Sequence, residues 1–297
     1  MIKIAVIVAL IFCSSAILAQ DKGQRILVVD PPITNHMILQ DGALPPVCKA
    51  QNKVTIHACR GEYEPASFVV ETIVPDTVRV TVGSLTGPGV KWPKDAVDVR
   101  VVKDYYFRFP TRVPIGNESN ATVAPMLLVH DEGFLAVEPA PTEKYPDAMT
   151  NVLRGALRDT TTLQPVYVNK RKQFWITVHV PEDAVSGNYQ AVLRIVPDNA
   201  LPKELTLEIE VYPFDLLPPM KVYSIWYPPR LQDFDKTYDD STFIPYLTRE
   251  QYRIELRNMM AHGIASPISQ QGIRRQDPSD PDLPLDFTRQ EELLAMQ

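Results

Sequence analysis

The feature that most constrains this chain is a series of segments in which apolar and polar residues alternate. The clearest spans residues 204–211, where every second side chain is apolar: Leu205, Leu207, Ile209 and Val211. A period of two buries one face of a strand and exposes the other, as in antiparallel sheets. At least seven β-rich segments, separated by turn signals, predict an antiparallel β-sandwich over residues 24–215: 53–59, 66–74, 77–82, 97–102, 173–180, 189–196 and 204–211.

Proline supports the same fold class. The chain contains 28 prolines but only 12 glycines, which suits short extended segments joined by stiff loops and disfavours a mostly helical protein. Two stretches interrupt the alternation. Residues 109–125 are predicted to be an exposed loop, and residues 139–162 a long irregular excursion.

The pattern changes after Phe214 to strands that alternate with helices. The predicted order begins with a stiff linker at residues 215–219 and an apolar strand at 221–227. A helix at 247–261 follows, between the Thr248 cap and the Gly263 stop. A short strand at 263–268 and a helix at 287–297, capped by Thr288, complete the order. This β-α-β-α order predicts that residues 220–297 are the incomplete start of a (β/α)8 barrel, since a whole barrel takes about 250 residues.

The first residues have the three parts of a secretory signal peptide, predicted as residues 1–19. Lys3 precedes an apolar run that ends at the small residue Ala19, after which the chain becomes polar. A retained membrane anchor is the alternative, although the apolar run is shorter than the roughly 20 residues that span a bilayer. We expect a secreted, periplasmic or cell-surface protein with no membrane span once the signal is removed.

Charge and cysteine content exclude several kinds of site. The net charge of −6 is spread along the chain and argues against a nucleic-acid partner. Outside the signal, only Cys48 and Cys59 remain; an oxidising compartment favours a disulfide between them, and two buried free thiols are the alternative. Two cysteines without a histidine at ligand spacing predict no metal site. No motif indicates a cofactor.

Several segments, in this order, resemble glycoside hydrolase family 123 and its relatives. They are the stretch around Arg60-Gly61-Glu62 that enters an apolar strand, and residues 99–106, 126–131, 173–190 and 211–216. The resemblance implies an N-terminal β-sandwich followed by a catalytic TIM barrel. It also implies removal of terminal β-linked N-acetylgalactosamine-type sugars, with the substrate's own acetamido oxygen as the nucleophile.

The resemblance further implies that an adjacent Asp-Glu pair in the barrel supports this chemistry. That pair would lie beyond the two barrel strands found here, so no catalytic residue is assigned and this chain alone is expected to be inactive. The implied partner is a glycan that contains N-acetylhexosamine. Two alternatives stay open: a non-catalytic secreted β-sandwich that binds carbohydrate or protein, and a relative whose barrel acts differently or not at all.

Trp226 and Tyr227 are the candidate substrate-binding residues. They fall at the carboxyl end of the first predicted barrel strand, the side on which TIM-barrel sites assemble, and aromatic rings suit sugar faces. Packing of these rings inside the protein is the alternative, and Ser266 is a weaker candidate. Asp131-Glu132 imitates the family's catalytic pair but is predicted to be a solvated hairpin turn. Arg60 and Glu62 are candidates for an ion pair.

Overall fold

The structure is a computed structural model that describes residues 23–89, 91–108, 121–141, 143, 146, 148–154, 159–217, 220–227, 229–232, 246–264, 266–269, 274–275, 285–286, 291–292 and 295. The predicted signal peptide, residues 1–19, and the cap Thr288 lie outside these residues. The chain divides into two compact units. The first is Met1–Phe109 with Gly116–Asp215, and the second is Pro110–Ile115 with Leu216–Gln297.

The first unit consists of strands arranged in two large sheets. One sheet has the order β2-β1-β4-β11-β6-β7, the other has the order β10-β5-β12-β13-β3, and β8 pairs with β9. The strands are β1 (Arg25–Val29), β2 (Cys48–Lys49), β3 (Lys53–Ala58), β4 (Tyr63–Glu71), β5 (Asp76–Val82), β6 (Val97–Arg108), β7 (Ala121–Val129), β8 (Leu135–Pro139), β9 (Met149–Leu153), β10 (Val166–Val168), β11 (Arg171–His179), β12 (Gly187–Pro197) and β13 (Lys203–Val211).

The alternating residues form the core between the two sheets. Leu205, Leu207, Ile209 and Val211 are buried on one face of β13, and Phe174 of β11 stacks on Phe68 of β4 with ring centroids 5.1 Å apart. The prediction of a mainly β, antiparallel fold is therefore confirmed. One pair departs from it, since β3 runs parallel to β13.

A second, smaller apolar cluster lies on the other side of β4. Strand β4 is buried on both faces over Ala66–Val70, as a continuous apolar run predicts. The segment after β1 folds over this face, so that Ile38 packs with Leu27, Val29 and Val69. A backbone hydrogen bond from Asp30 to the carbonyl of Val47 closes that segment at 2.9 Å.

Both stretches predicted to be irregular contain strands. Ala121–Val129 forms β7 at the edge of the six-stranded sheet, which corrects the end of the predicted loop 109–125. Pro125 is tolerated there because an edge strand has one row of backbone groups that needs no ladder partner. Met149–Leu153 pairs with Leu135–Pro139, which corrects the excursion predicted for 139–162. The polar sequence of β9 gave no period-two signal.

The structure also corrects the expected disulfide, because Cys48 and Cys59 are free thiols. Cys48 lies in β2 at the edge of the six-stranded sheet, whereas Cys59 follows β3 in the five-stranded sheet. Sheets packed face to face lie about 10 Å apart. A disulfide spans a Cα separation of only about 4.4–6.8 Å.

In its described residues, the second unit contains short strands and the helix α1 (Arg249–Ala261). Its elements are β14 (Trp226–Tyr227), β15 (Arg230–Leu231), β16 (Tyr246–Leu247), α1 (Arg249–Ala261), β17 (Ile268–Ser269), β18 (Arg274–Arg275) and β19 (Leu285–Asp286). β14 pairs in parallel with β17, and β15 pairs in parallel with β16. The first strand is shorter than the predicted 221–227, and the later strand lies at 268–269 instead of 263–268. In the described residues, no helix has the length and apolar composition needed to span a bilayer.

Helix α1 begins and ends where its sequence signals predict. The Thr248 hydroxyl accepts from the backbone N–H of Gln251 at 3.2 Å, and the Gln251 side chain accepts from the Thr248 N–H at 2.9 Å. This reciprocal pair is a capping box. At the other end, Gly263 has a φ of 80° and donates to the carbonyl of Met260 at 3.0 Å. Glycine is favoured in that left-handed conformation because it has no Cβ.

The free thiols give a direct test. We expect Ellman's reagent to detect two thiols per unfolded mature chain without reductant, because Cys48 and Cys59 are both reduced. Cys59 should stay unreactive until the protein unfolds. Its burial, and then the nearby Glu62 carboxylate, raise the pKa of the thiol and suppress the reactive thiolate. Detection of no thiols in the unfolded chain would contradict the structure.

Candidate functional site

The predicted site lies on the parallel pair β14 and β17. Trp226 is opposite Ile268 and Tyr227 is opposite Ser269. The backbone N–H of Ile268 donates to the carbonyl of Ile225 at 2.8 Å, and the Ser224 hydroxyl donates to the carbonyl of Ser266 at 2.5 Å. Ser224 and Ser266 precede these two parallel strands and therefore lie at the amino edge of the pair, so Ser266 is not at the strand end that the sequence predicts, whereas Trp226 and Tyr227 form β14 itself.

The two candidate aromatic residues face opposite sides of β14. Successive side chains of a strand alternate between its faces. Trp226 is 59% exposed, whereas Tyr227 is only 8% exposed and packs with Leu231, Tyr252 and Leu256. Of the two, Trp226 is thus the residue whose side chain an external ligand can reach, and Tyr227 takes the packing role.

Tyr227 is held in the core by its ring and its hydroxyl. Its ring meets the ring of Tyr252 edge-on, with centroids 5.2 Å apart. The hydroxyl donates to the carboxylate of Glu255 on α1. Burial, and then this hydrogen bond, raise the pKa of Tyr227 well above its usual value. The phenol therefore stays protonated and acts as a donor that fixes β14 to α1.

The Asp131-Glu132 pair is not the solvated turn that the sequence predicts. The Asp131 side chain accepts from the backbone N–H of Gly133 at 2.8 Å and caps the short 3-10 helix Glu132–Phe134. The Glu132 side chain is half-buried and forms ion pairs with Lys103 and Lys172. Because Glu132 lies between two half-buried ammonium groups, its carboxylate is committed to them. The two acids thus have structural roles, as expected, but in a different environment.

A histidine network that the sequence did not reveal lies beside this pair. The ring of the buried His130 is 2.7 Å from the Asp98 carboxylate through Nε2 and 2.7 Å from the carbonyl of Thr160 through Nδ1. The two ring nitrogens thus contact oxygen atoms of two different segments of the chain. Asp159 accepts from the backbone N–H groups of His130, Asp131 and Thr160.

This network connects β6, the end of β7 and the segment around Thr160. Burial alone would raise the pKa of Asp98, but hydrogen bonds from His130 and Arg100 outweigh it and hold the pKa below its usual range. These polar groups contact one another across three segments of the chain, so the network stabilises the fold. No sequence signal connects these residues, because Asp98 and His130 are 32 positions apart.

Arg60 and Glu62 do not form the predicted ion pair. The Arg60 guanidinium donates to the Asp215 carboxylate at 2.6 Å and to the carbonyl of Ala184 at 2.7 Å. Glu62 instead accepts from the backbone N–H of Cys59 at 2.6 Å. The turn between β3 and β4 directs the two side chains to different partners.

As for metals, no group of three or more potential ligands occurs within the described part of the chain.

Comparison with known proteins now gives one informative result. No family model matches the sequence, and no curated protein does either. The fold is similar to that of a family 123 glycoside hydrolase. That protein comes from Clostridium perfringens and was solved to explain glycolipid glycan hydrolysis; the TM-score is 0.52 and the identity 14%. The match covers 92% of this chain and 45% of that enzyme, so this chain spans less than half of the enzyme's length.

Two further solved structures are far less similar. The first is the N-terminal domain of PorA, with a TM-score of 0.23 and 9% identity; the match covers 55% of this chain and 90% of that one. The second is a PapD-like domain of human CEP192, with a TM-score of 0.23 and 10% identity; the match covers 60% of this chain and 97% of that one. At 14% identity, the likeness to the hydrolase establishes similarity of fold and not activity.

The Asp98 network predicts a specific pH dependence. A carboxyl whose pKa is lowered on folding stabilises the protein above its unfolded pKa, about 3.9, and loses that contribution as the pH falls through the folded value. We expect Asp98→Asn to lower the free energy of unfolding at pH 7. Urea unfolding of both proteins should show this difference shrink as the pH falls below about 4. A difference that stays constant from pH 7 to pH 3 would contradict the lowered pKa.

Glu132 provides a second test. Glu132→Gln removes the carboxylate that pairs with the half-buried Lys103 and Lys172, and should destabilise the protein by about 3 kcal/mol in urea unfolding at pH 7. The matched control is Glu204→Gln, which removes an ion pair with Arg194 in which both side chains are 62% exposed. We expect the control to change stability by no more than about 0.5 kcal/mol. Equal effects of the two variants would refute the assigned role of Glu132.

Proposed function

We propose that this chain is the N-terminal portion of a secreted glycoside hydrolase that removes terminal β-linked N-acetylhexosamine of the N-acetylgalactosamine type. The observation that supports this proposal is the similarity in fold, over 92% of the chain, to a family 123 glycoside hydrolase. The chain spans 45% of that enzyme's length. We therefore assign the catalytic residues to the part of the hydrolase outside these 297 residues.

The exposed apolar surface of the second unit supports a barrel. Val222 is 73% exposed, Ile268 is 50% exposed, and Ile225 and Trp226 beside them are also open to solvent. Parallel strands are normally buried on both faces, whereas only the Tyr227 side of β14 packs against α1 and Trp226 on its other side is exposed. Further strands and helices of a (β/α)8 barrel would cover these side chains. In that arrangement, β14 and β17 are early strands of the catalytic domain.

The proposed reaction uses the substrate's own acetamido oxygen, which attacks the anomeric carbon and leads to retention of configuration. An Asp would orient that amide and the adjacent Glu would protonate the leaving oxygen. This scheme requires no cofactor. From the present chain we assign only Trp226 to the sugar site, where its exposed ring can pack against the apolar face of a pyranose while its N–H remains available to a hydroxyl. Tyr227 supports Trp226 from the opposite face through Glu255 and Tyr252.

The place of action that we propose is outside the cytoplasm, at the cell surface, in a periplasm or in the medium. The support is the sequence of residues 1–19, with Lys3, an apolar run and Ala19. N-terminal sequencing of the exported protein should begin at Gln20. An intact Met1 on a membrane-bound product would favour a retained anchor.

The decisive experiment is an activity assay of this chain extended by the polypeptide encoded downstream of Gln297. We expect release of nitrophenol from the β-N-acetylgalactosaminide, the β-N-acetylglucosaminide or both, and no release by residues 20–297 alone. Lack of activity of the extended protein on both substrates would overturn the proposal. Activity of residues 20–297 alone would place the catalytic residues inside this chain and would also overturn it.

Trp226 can be tested in the same extended enzyme. Trp226→Ala should raise KM about tenfold or more, as expected for loss of one aromatic contact, and Trp226→Phe should restore most of the affinity. The matched control is Tyr223→Ala, since Tyr223 is an exposed aromatic residue that precedes β14. Equal KM values for Trp226→Ala and the unmodified enzyme would remove Trp226 from the sugar site.

A further inference from the structure

The outward face of the five-stranded sheet contains a groove of about 470 Å³. Six polar residues contribute to its lining: Thr55, Thr86, Asn188, Gln190, Glu208 and Glu210. The strand register places them in two rows across the sheet. Glu208 lies between Thr55 and Gln190, and Glu210 lies between His57 and Asn188. The volume is in the range of about 300–1,000 Å³ that is typical of ligand sites.

One wall of the groove is a loop that the structure fixes in place. Thr86 and Gln190 exchange two backbone hydrogen bonds of 2.8 Å, which hold the segment after β5 beside β12, on the edge of β12 that pairs with β5. Gly87 allows this close approach, because a Cβ at that position would lie 2.2 Å from the Tyr189 ring. Specific backbone contacts therefore fix the position of Thr86 and Gly87, which contribute to the lining of the groove.

The charges in the groove are partly balanced and the remainder is negative. Glu208 forms an ion pair with Lys53 at 3.0 Å, and Glu210 hydrogen-bonds to Nδ1 of His57 at 2.9 Å. The other polar groups are the exposed amides of Asn188 and Gln190 and the hydroxyls of Thr55 and Thr86. Amides and hydroxyls donate and accept hydrogen bonds, which suits a ligand with many hydroxyl groups. The carboxylates disfavour an anionic ligand.

A row of nearly parallel rings extends from one end of the groove. The His57 ring is stacked with Tyr212 at 6.1 Å, and Tyr212 is stacked with Phe214 at 5.3 Å. Phe214 is 53% exposed, so the last ring of the row offers apolar surface to solvent. Aromatic surface beside hydrogen-bonding groups matches the two kinds of surface of a sugar ring, its apolar C–H face and its hydroxyl rim.

We propose that this groove binds a segment of an uncharged glycan. The inference does not depend on the hydrolase activity proposed above, because the groove belongs to the first unit and uses no catalytic residue. A glycan held here would bring the protein to a polysaccharide or glycoconjugate surface, whatever reaction follows. Asn188 and Gln190 are the main hydrogen-bonding residues of the site, and the ring row supplies its apolar contact.

The test is affinity electrophoresis of the unmodified chain, with its signal removed, in native gels that contain galactomannan, glycogen or chitosan-free glycol chitin as neutral polymers. Gels with polygalacturonate provide the anionic comparison. We expect retardation in at least one neutral gel and none with polygalacturonate. The variant Asn188→Ala/Gln190→Ala should bind about tenfold more weakly, since it removes the hydrogen bonds of two side chains.

Two matched variants separate the groove from the rest of the sheet. Glu208→Gln and Glu204→Gln change the same residue type on the same outward face of β13, but only Glu208 lines the groove. The proposal requires altered retardation for Glu208→Gln and unchanged retardation for Glu204→Gln. It is overturned by no retardation in any neutral gel, by retardation with polygalacturonate alone, or by equal binding of the unmodified chain and the double variant.

Discussion

Phe68 and Phe174 stack in the apolar layer between the two sheets, and the remainder of the first unit is arranged around that layer. Both rings are fully buried, and the strands that carry them, β4 and β11, lie at the centre of the six-stranded sheet. Burial of apolar surface is the main favourable term in folding. The layer therefore fixes which side chains of each strand face outward, and those side chains form the polar network and the groove.

The outward-facing residues of the two sheets form different surfaces, although both sheets bury their other face in the same apolar layer. On the five-stranded sheet, the register aligns Thr55, Glu208 and Gln190 in a row that solvent can reach. On the six-stranded sheet, the segment after β1 covers part of the outer face, and Asp98 contacts a buried histidine. Charged groups are tolerated at such places only when they are paired and hydrogen-bonded. That requirement accounts for the Glu132 and His130 contacts better than a catalytic role does.

The second unit has a different organisation because its strands are short and pair in parallel. Tyr227, Tyr252 and Leu256 make a small core, but Val222, Ile225 and Trp226 remain exposed. This contrast with the well-buried sandwich core, together with the fold likeness to a hydrolase about twice as long, underlies the proposed function. Trp226 belongs to the second unit and the groove to the first, and the tests of the two are independent.

The sequence alone determined the strands with clear alternation, such as 204–211, and the cap of α1 at Thr248, because these depend on local periodicity and local hydrogen bonds. It also located Trp226 and Tyr227 at a strand end, but not the contrast in exposure between them. Strands β7 and β9, the free thiols and the partners of His130, Glu132 and Arg60 were decided by the tertiary structure. These features depend on contacts between residues far apart in the chain, which no local pattern encodes.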